Sequence, residues 1–469
     1  MTNSLHPTRS GRSPVRRPAL TLTATLALTL ALGAACLTPT ATATTPEATA
    51  ATTAGASDSL VRSLNSRTPQ WRSGASEDRT GGISGEQNLR QVFFVGNNWD
   101  GTADVIESGG AYGKLGRINM IPDKEERLRE IYLNPVKLAY FLGIRSGPGE
   151  GHDQFVDDMY TTPDGTAVVA SRPSFADVVS IDVRTGRINW RFPVSGYRSD
   201  HMAVSPDGKR VAVSASISNK VHVLDIATGE EAGAFSTGDK PHENVYTNGG
   251  RHLWNMSIGE VNTDLDAPWL DFTKGDRRIT IADAKTLEVV KVIDMRERLD
   301  AFGREDLSDA IRPVAFTPDE SKLYFQVSFF NGLVEYDVHR DRVTRVRELP
   351  KNPDTSDDRT TYVNDSRHHG MAMNPAGDKL CVAGTMDDYA TVVDRATLTE
   401  GPLVTASKPY WATVSGDGED CVISESGTDQ VTAISFATGK KVATVPVGDH
   451  PQRVRLGHVP ANWTPPAVS

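Results

Sequence analysis

Two short phrases recur along this chain at a spacing that few folds accommodate. The first is an apolar strand, a Pro-Asp-Gly-like turn and a second apolar strand. It stands at Thr162-Pro163-Asp164-Gly165, Ser205-Pro206-Asp207-Gly208, Thr247-Asn248-Gly249-Gly250, Thr317-Pro318-Asp319-Glu320, Asn374-Pro375-Ala376-Gly377 and Ser415-Gly416-Asp417-Gly418, in steps of 43, 42, 70, 57 and 41 residues. The second is a run of alternating apolar residues, then Asp, then a Thr-Gly-like turn. It is clearest at Val179-Ser180-Ile181-Asp182 with Thr185-Gly186 and at Val223-Leu224-Asp225 with Thr228-Gly229. Weaker copies pass through Asp283, Asp337, Asp394 and Ser435, and a degenerate first copy lies at Val105-Ile106-Glu107, which makes seven.

Each phrase reads as a β-hairpin, because period-two alternation makes strands and Asp or Gly suits the turns. Two hairpins per period give four short strands in just over 40 residues, the signature of a propeller blade. The expected fold is therefore all-β, a seven-bladed β-propeller over residues 86–459. The first blade opens with Gln91-Val92-Phe93-Phe94-Val95, which matches the second strand of the repeat. Its first strand is expected from Pro451 to Leu456, so that the two ends pair and remove two exposed sheet edges. The 40 glycines and 27 prolines fit so many turns.

The chain begins with an address. Arg9, Arg12, Arg16 and Arg17 precede an uncharged run from Ala19 to Ala35, and Ala41-Thr42-Ala43 offers a small-x-small cleavage site. This is a secretory signal layout over residues 1–43, too short and too rich in small residues at its end for a permanent anchor. Residues 44–85, rich in Thr, Ala and Ser, are expected to be a disordered linker, and residues 460–469 a C-terminal tail. The mature protein is expected to be secreted or extracytoplasmic, with no membrane span. A net charge of −10 without a basic block argues against nucleic acid as the partner. Three cysteines exclude a disulfide scaffold and any four-cysteine metal site.

The Pro-Asp-Gly turns, the Asp-x-x-Thr-Gly turns, and blade openings such as Gly238-Asp239-Lys240-Pro241 and Gly448-Asp449-His450-Pro451 resemble the YncE-like, YVTN-repeat family of secreted β-propellers. The resemblance covers nearly all of residues 90–458. It implies the fold and an extracellular role. It does not name a chemistry, because related propellers range from binding proteins to streptogramin lyase and the heavy chain of methylamine dehydrogenase.

The first strand of each blade lines the central channel of a propeller. Six and five residues ahead of the second residue of each turn stand Asp157-Asp158, Asp200-His201, His242-Glu243, Arg312-Pro313, His369-Gly370 and Tyr410-Trp411; by strand equivalence the closing strand adds Gln452-Arg453. An ordinary blade needs no ionisable group there. His201, His242 and His369, with His152 leaning in from the preceding loop, suit a divalent or transition metal ion. The same histidines with Asp157, Asp158, Asp200 and Glu243 suit general acid–base work, and Arg312 and Arg453 suit a substrate carboxylate or phosphate. Tyr410 and Trp411 would wall the site. Two functions fit: a metal-assisted hydrolase or lyase acting on a small anionic molecule, or a non-catalytic propeller that binds an extracellular ligand or protein. A wet, inert channel is the bland alternative. Ring groups within about 5 Å of one point, a reach suited to shared ligation, favour the first, and side chains splayed apart favour the second.

The extra length falls on the mouth of the channel. Asp123 to Gly143 has helical spacing with a break near Pro135, and Met295–Ile311, Leu349–His368 and Gly259–Asp276 are further long connections on that face. Cys381 and Cys421 lie on second strands of adjacent blades. Their offsets from the preceding glycine differ by one residue, which turns them to opposite faces of their sheets and argues against a disulfide. His222 and His339, on outer strands, are expected to be exposed. No phosphate-binding loop, His-Glu-x-x-His pair or nucleophile elbow is present.

Overall fold

The computed structural model describes residues 88–261, 268–362 and 366–466. The leader and the Thr/Ala/Ser-rich linker lie outside these residues. The described residues form seven β-sheets, each a meander, in a seven-bladed propeller. The innermost strands are Met159–Thr161, Ser199–Val204, Pro241–Thr247, Ile311–Phe316, Met371–Met373, Pro409–Val414 and Pro451–Pro460. Each of these is adjacent to the innermost strand of the next blade. One blade has its outer strand split in two, with Thr399–Glu400 and Val404–Thr405 both pairing with Tyr389–Asp394. Strand Leu89–Asn97 pairs on its inner side with Pro451–Pro460, so one sheet draws on both ends of the described chain.

The turns form for the reason their residues suggest. Asp164 accepts hydrogen bonds from the Thr162 hydroxyl at 2.6 Å and the Thr166 N–H at 3.1 Å, and Asp207, Asp319 and Asp417 repeat the pattern. Asp182 accepts from the Arg184 and Thr185 amides, as Asp225 does from Ala227 and Thr228. Gly208 has φ +68°, and a Cβ there would stand 2.6 Å from Pro163 of the preceding blade. Gly418 repeats this against Pro375 at 3.0 Å. The turn proline of one blade thus packs on the turn glycine of the next, which requires a residue without a side chain.

The core lies between blades. Val168, Ala170, Val179 and Ile181 of one sheet pack on Val92, Phe94, Ala103 and Val105 of its neighbour, and all are buried. Such strands are apolar on both faces because each sheet is covered on both sides.

The disulfide expectation is overturned: Cys381 and Cys421 are bonded, with Cα atoms 5.7 Å apart. The opposite facing was correct, but its consequence was inverted. Stacked sheets meet front to back, so residues on opposite faces of neighbouring sheets are the ones that touch. Both cysteines lie in one apolar cluster with Ala383, Val392, Ala412 and Ile434.

The long connections carry helices α1 (Lys124–Tyr132), α2 (Pro135–Ser146) and α3 (Met295–Phe302). The break before Pro135 is as the spacing indicates. Asn134 caps α2 by accepting from the Val136 and Lys137 amides, and proline occupies the first turn. Ile131 and Phe141 anchor the pair on Ile121, Phe155 and Phe175. Asp294 caps α3 in the same way. None of the described helices is long and apolar enough to cross a membrane.

Candidate functional site

The polar pairs of the inner strands do not continue a regular ladder. Pairing with the second strand skips between Ser199 and Met202, Pro241 and Asn244, Ile311 and Val314, and Pro409 and Trp411. The same skip brackets Gln452-Arg453. These are β-bulges, which set two residues against one and re-aim their side chains. Serines on the second strands satisfy part of the backbone that the bulges free. Ser171 Oγ accepts from the Asp158 N–H and Ser424 Oγ from the Trp411 N–H, while Ser214 Oγ donates to the His242 carbonyl.

The bulges bring the groups together in a buried cluster. Asp157, Asp200, His201, His242, Glu243, Arg312, His369, Tyr410, Trp411 and Arg453 are all buried. Ligand atoms of Asp200, His201 and His242 lie within 4.8 Å of one another. The His201 and His242 rings are 3.7 Å apart between centroids, and His369 stands 5.9 Å from His242 and 4.4 Å from Tyr410.

Hydrogen bonding sets the tautomers. Arg453 donates to His201 Nε2, and a guanidinium cannot accept. His201 therefore carries its hydrogen on Nδ1 and donates it to Glu243 Oε2 at 2.5 Å. A carboxylate behind the imidazole is the arrangement that orients a metal-binding histidine. Nε2 faces Asp200 at 3.7 Å and Asp157 at 4.0 Å. His369 donates from Nδ1 to the Tyr410 carbonyl at 3.2 Å. Its Nε2, His242 Nδ1 and Asp157 Oδ2 are buried with no hydrogen-bond partner among the described residues. Buried polar atoms without partners are costly and mark a place prepared for something else.

Charge shapes the site. Burial, together with the charges of Arg453, Arg312 and neighbouring histidines, holds His201, His242 and His369 well below the usual imidazole range, so they are neutral. Burial raises Asp157 to about 6, and the carboxylates of Asp200 and Asp158 add to the rise. Burial likewise raises Glu243 to about 7. Arg453 lies over the Trp411 ring at 4.1 Å and 3.6 Å from Asp157.

Two expected members stand apart. Asp158 is held in a bidentate pair with Arg455 at 2.7 and 2.8 Å and accepts the Met202 N–H, so it ties strands together rather than facing the imidazoles. His152 is exposed and stacks on Trp99, whose other face carries His450. The glycine-rich loop ahead of it carries its ring to the Trp99 stack instead of the cluster. Arg312 bonds Ser328 and lies close enough to depress His242 and His369. Sequence reasoning missed Arg455 and Arg198, which bonds Asp200. Both were detectable, since each lies two residues from a ring position on the same strand or its approach. The expectation for His222 was also wrong: it is buried, whereas His339 is exposed.

No family model matches the chain, and no curated protein matches it. Among solved structures it is similar to Kuenenia stuttgartiensis hydrazine synthase, at 18% identity and a TM-score of 0.49, over 63% of this chain and 88% of that one. No reading of function rests on that likeness.

Proposed function

We propose that this chain is an exported propeller whose buried cluster binds a divalent or transition metal ion and acts as a hydrolase or lyase on a small anionic molecule. The supporting observation is the convergence of Asp200, His201 and His242 within 4.8 Å, with Glu243 behind His201. One carboxylate and two imidazoles leave an open position for water or substrate. His369, with a free buried Nε2, stands beside them as a base, and Arg312 and Arg453 neutralise a carboxylate or phosphate. Tyr410 and Trp411 wall this side. The leader and the Cys381–Cys421 bond both suit an oxidising compartment outside the cytoplasm.

Metal analysis of the purified protein tests the reading. About one equivalent of metal is expected, lost in His242→Ala and in Asp200→Ala. A metal-free protein that takes up no zinc, copper, iron or manganese overturns it. One observation favours a second reading, in which the same face binds an anion without chemistry: both nitrogens of His201 are engaged, Nε2 by Arg453. In that case carboxylate or phosphate ligands bind metal-free protein, and Arg453→Ala abolishes the binding.

A further inference from the structure

Away from the ring, three side chains between two blades form a relay that the proposed function does not use. Ser195 lies in the connection between strands Ile188–Pro193 and Ser199–Val204, with its Oγ 2.7 Å from His222 Nε2. His222 belongs to strand Lys220–Asp225, and its Nδ1 is 2.6 Å from Glu231 Oε1. The Ser195 N–H also donates to Nε2 at 3.1 Å. Nε2 is therefore the acceptor, and Nδ1 carries the hydrogen given to Glu231. Ser218 donates its own hydrogen to the Ser195 carbonyl at 2.9 Å. The Ser195 hydroxyl then has two acceptors, His222 Nε2 and Ser218 Oγ at 2.7 Å, and the imidazole is the more basic.

We propose that Ser195, His222 and Glu231 are a nucleophile, base and orienting acid that act on small carboxylic esters, at a site separate from the ring. Ser195 is half-buried and Glu231 is exposed, which places the relay at the surface. Phe192 lies edge-on to His222 at 5.3 Å, and the stacked Tyr140–Tyr197 pair stands beside the same connection, an apolar rim for an acyl group. The Gly196 N–H, next in the chain, makes no hydrogen bond among the described residues and is available to an oxyanion. In the reaction Ser195 Oγ bonds to the carbonyl carbon while its proton passes to His222 Nε2. The tetrahedral adduct expels the alcohol, which takes that proton from His222. Water, deprotonated by His222, then splits the acyl–Ser195 ester to the free acid and restores the serine.

An alkyl fluorophosphonate applied to the full mature protein reads this directly, because it loses fluoride to an activated serine. Peptide mass spectrometry should find the adduct on Ser195, and Ser195→Ala should not be labelled. His222→Ala should slow labelling by about a hundredfold or more. Glu231→Gln, at an exposed position that leaves folding intact, should slow it by roughly tenfold or more. No adduct on the wild type, an adduct that survives Ser195→Ala, or a labelling rate unchanged by either His222→Ala or Glu231→Gln overturns the proposal.

Discussion

Replacing Cys381 and Cys421 together by alanine tests the inter-blade bond. The two are 40 residues apart in sequence. Closing a loop of about 40 residues removes about 13 cal/mol/K from the unfolded chain, or about 4 kcal/mol at 25 °C. Alanine suits the site, because the neighbours are Ala383, Ala390, Ala412, Ile423 and Ile434, and a serine hydroxyl would be left without a partner. For a propeller of roughly 370 residues the unfolding entropy is about 0.8 kcal/mol/K, so the melting temperature should fall by about 5 °C. The decisive comparison uses reductant. Dithiothreitol should lower the denaturation midpoint of the wild type by a similar amount and leave the double-alanine variant unmoved. A wild type that shows two free thiols on unfolding without reductant, or a midpoint indifferent to reductant, refutes the reasoning.

Three further outcomes are expected. Arg453→Met should raise zinc affinity at Asp200, His201 and His242 by about tenfold or more, because Arg453 occupies His201 Nε2 and its positive charge opposes any cation held there; calorimetric titration that finds equal or weaker binding counts against the metal reading. Arg172 is fully buried between Asp123 and Asp177, which Arg127 and Arg191 also pair, so Arg172→Met should cost roughly 2–4 kcal/mol in urea unfolding by stripping each carboxylate of one of its two guanidiniums, and a loss under 1 kcal/mol contradicts this. Burial first, then the charges of Lys408 and His152, lowers His450 to about 3. The unfolded chain takes up that proton near pH 6.5 and the folded chain does not, so its stabilising effect is complete above pH 6.5 and fades as pH falls toward 3. Roughly 1 kcal/mol is lost by pH 5.5. His450→Gln should flatten this slope, and identical pH profiles for the two proteins would speak against it.

The architecture was legible because hairpin turns announce themselves: Pro163-Asp164-Gly165 and Asp182-x-x-Thr185 are local chemistry, readable without neighbours. The ring was legible for the same reason, since counting from those turns located Asp200, His201, His242 and His369. The bulges were hidden, because a ladder's irregularity depends on its partner strand. Without them, Asp200 and His201 should point to opposite sides; with them, both reach the cluster. Asp158 and Asp157 look equivalent in sequence and are separated only by Arg455, which pairs with one of them. The cysteine error had a different origin. Parity along a strand describes one sheet, whereas the bond forms between two. His152 is close to Asp157 in sequence, but an aromatic face at Trp99 captures its ring.

The strand Pro451–Pro460 has a consequence for how the molecule is made. It carries Arg453 and Arg455, and just ahead of it the Gly448 N–H bonds Asn97 across 351 residues. The ribosome delivers this segment only after the strands of the other six sheets, so the first sheet waits for it with its inner edge bare. The guanidiniums that balance Asp157 and Asp158 arrive in the same stroke. A chain cut short before Pro451 would therefore lose its clasp and both guanidiniums together, and would present uncompensated acid and an open edge to any protease it meets.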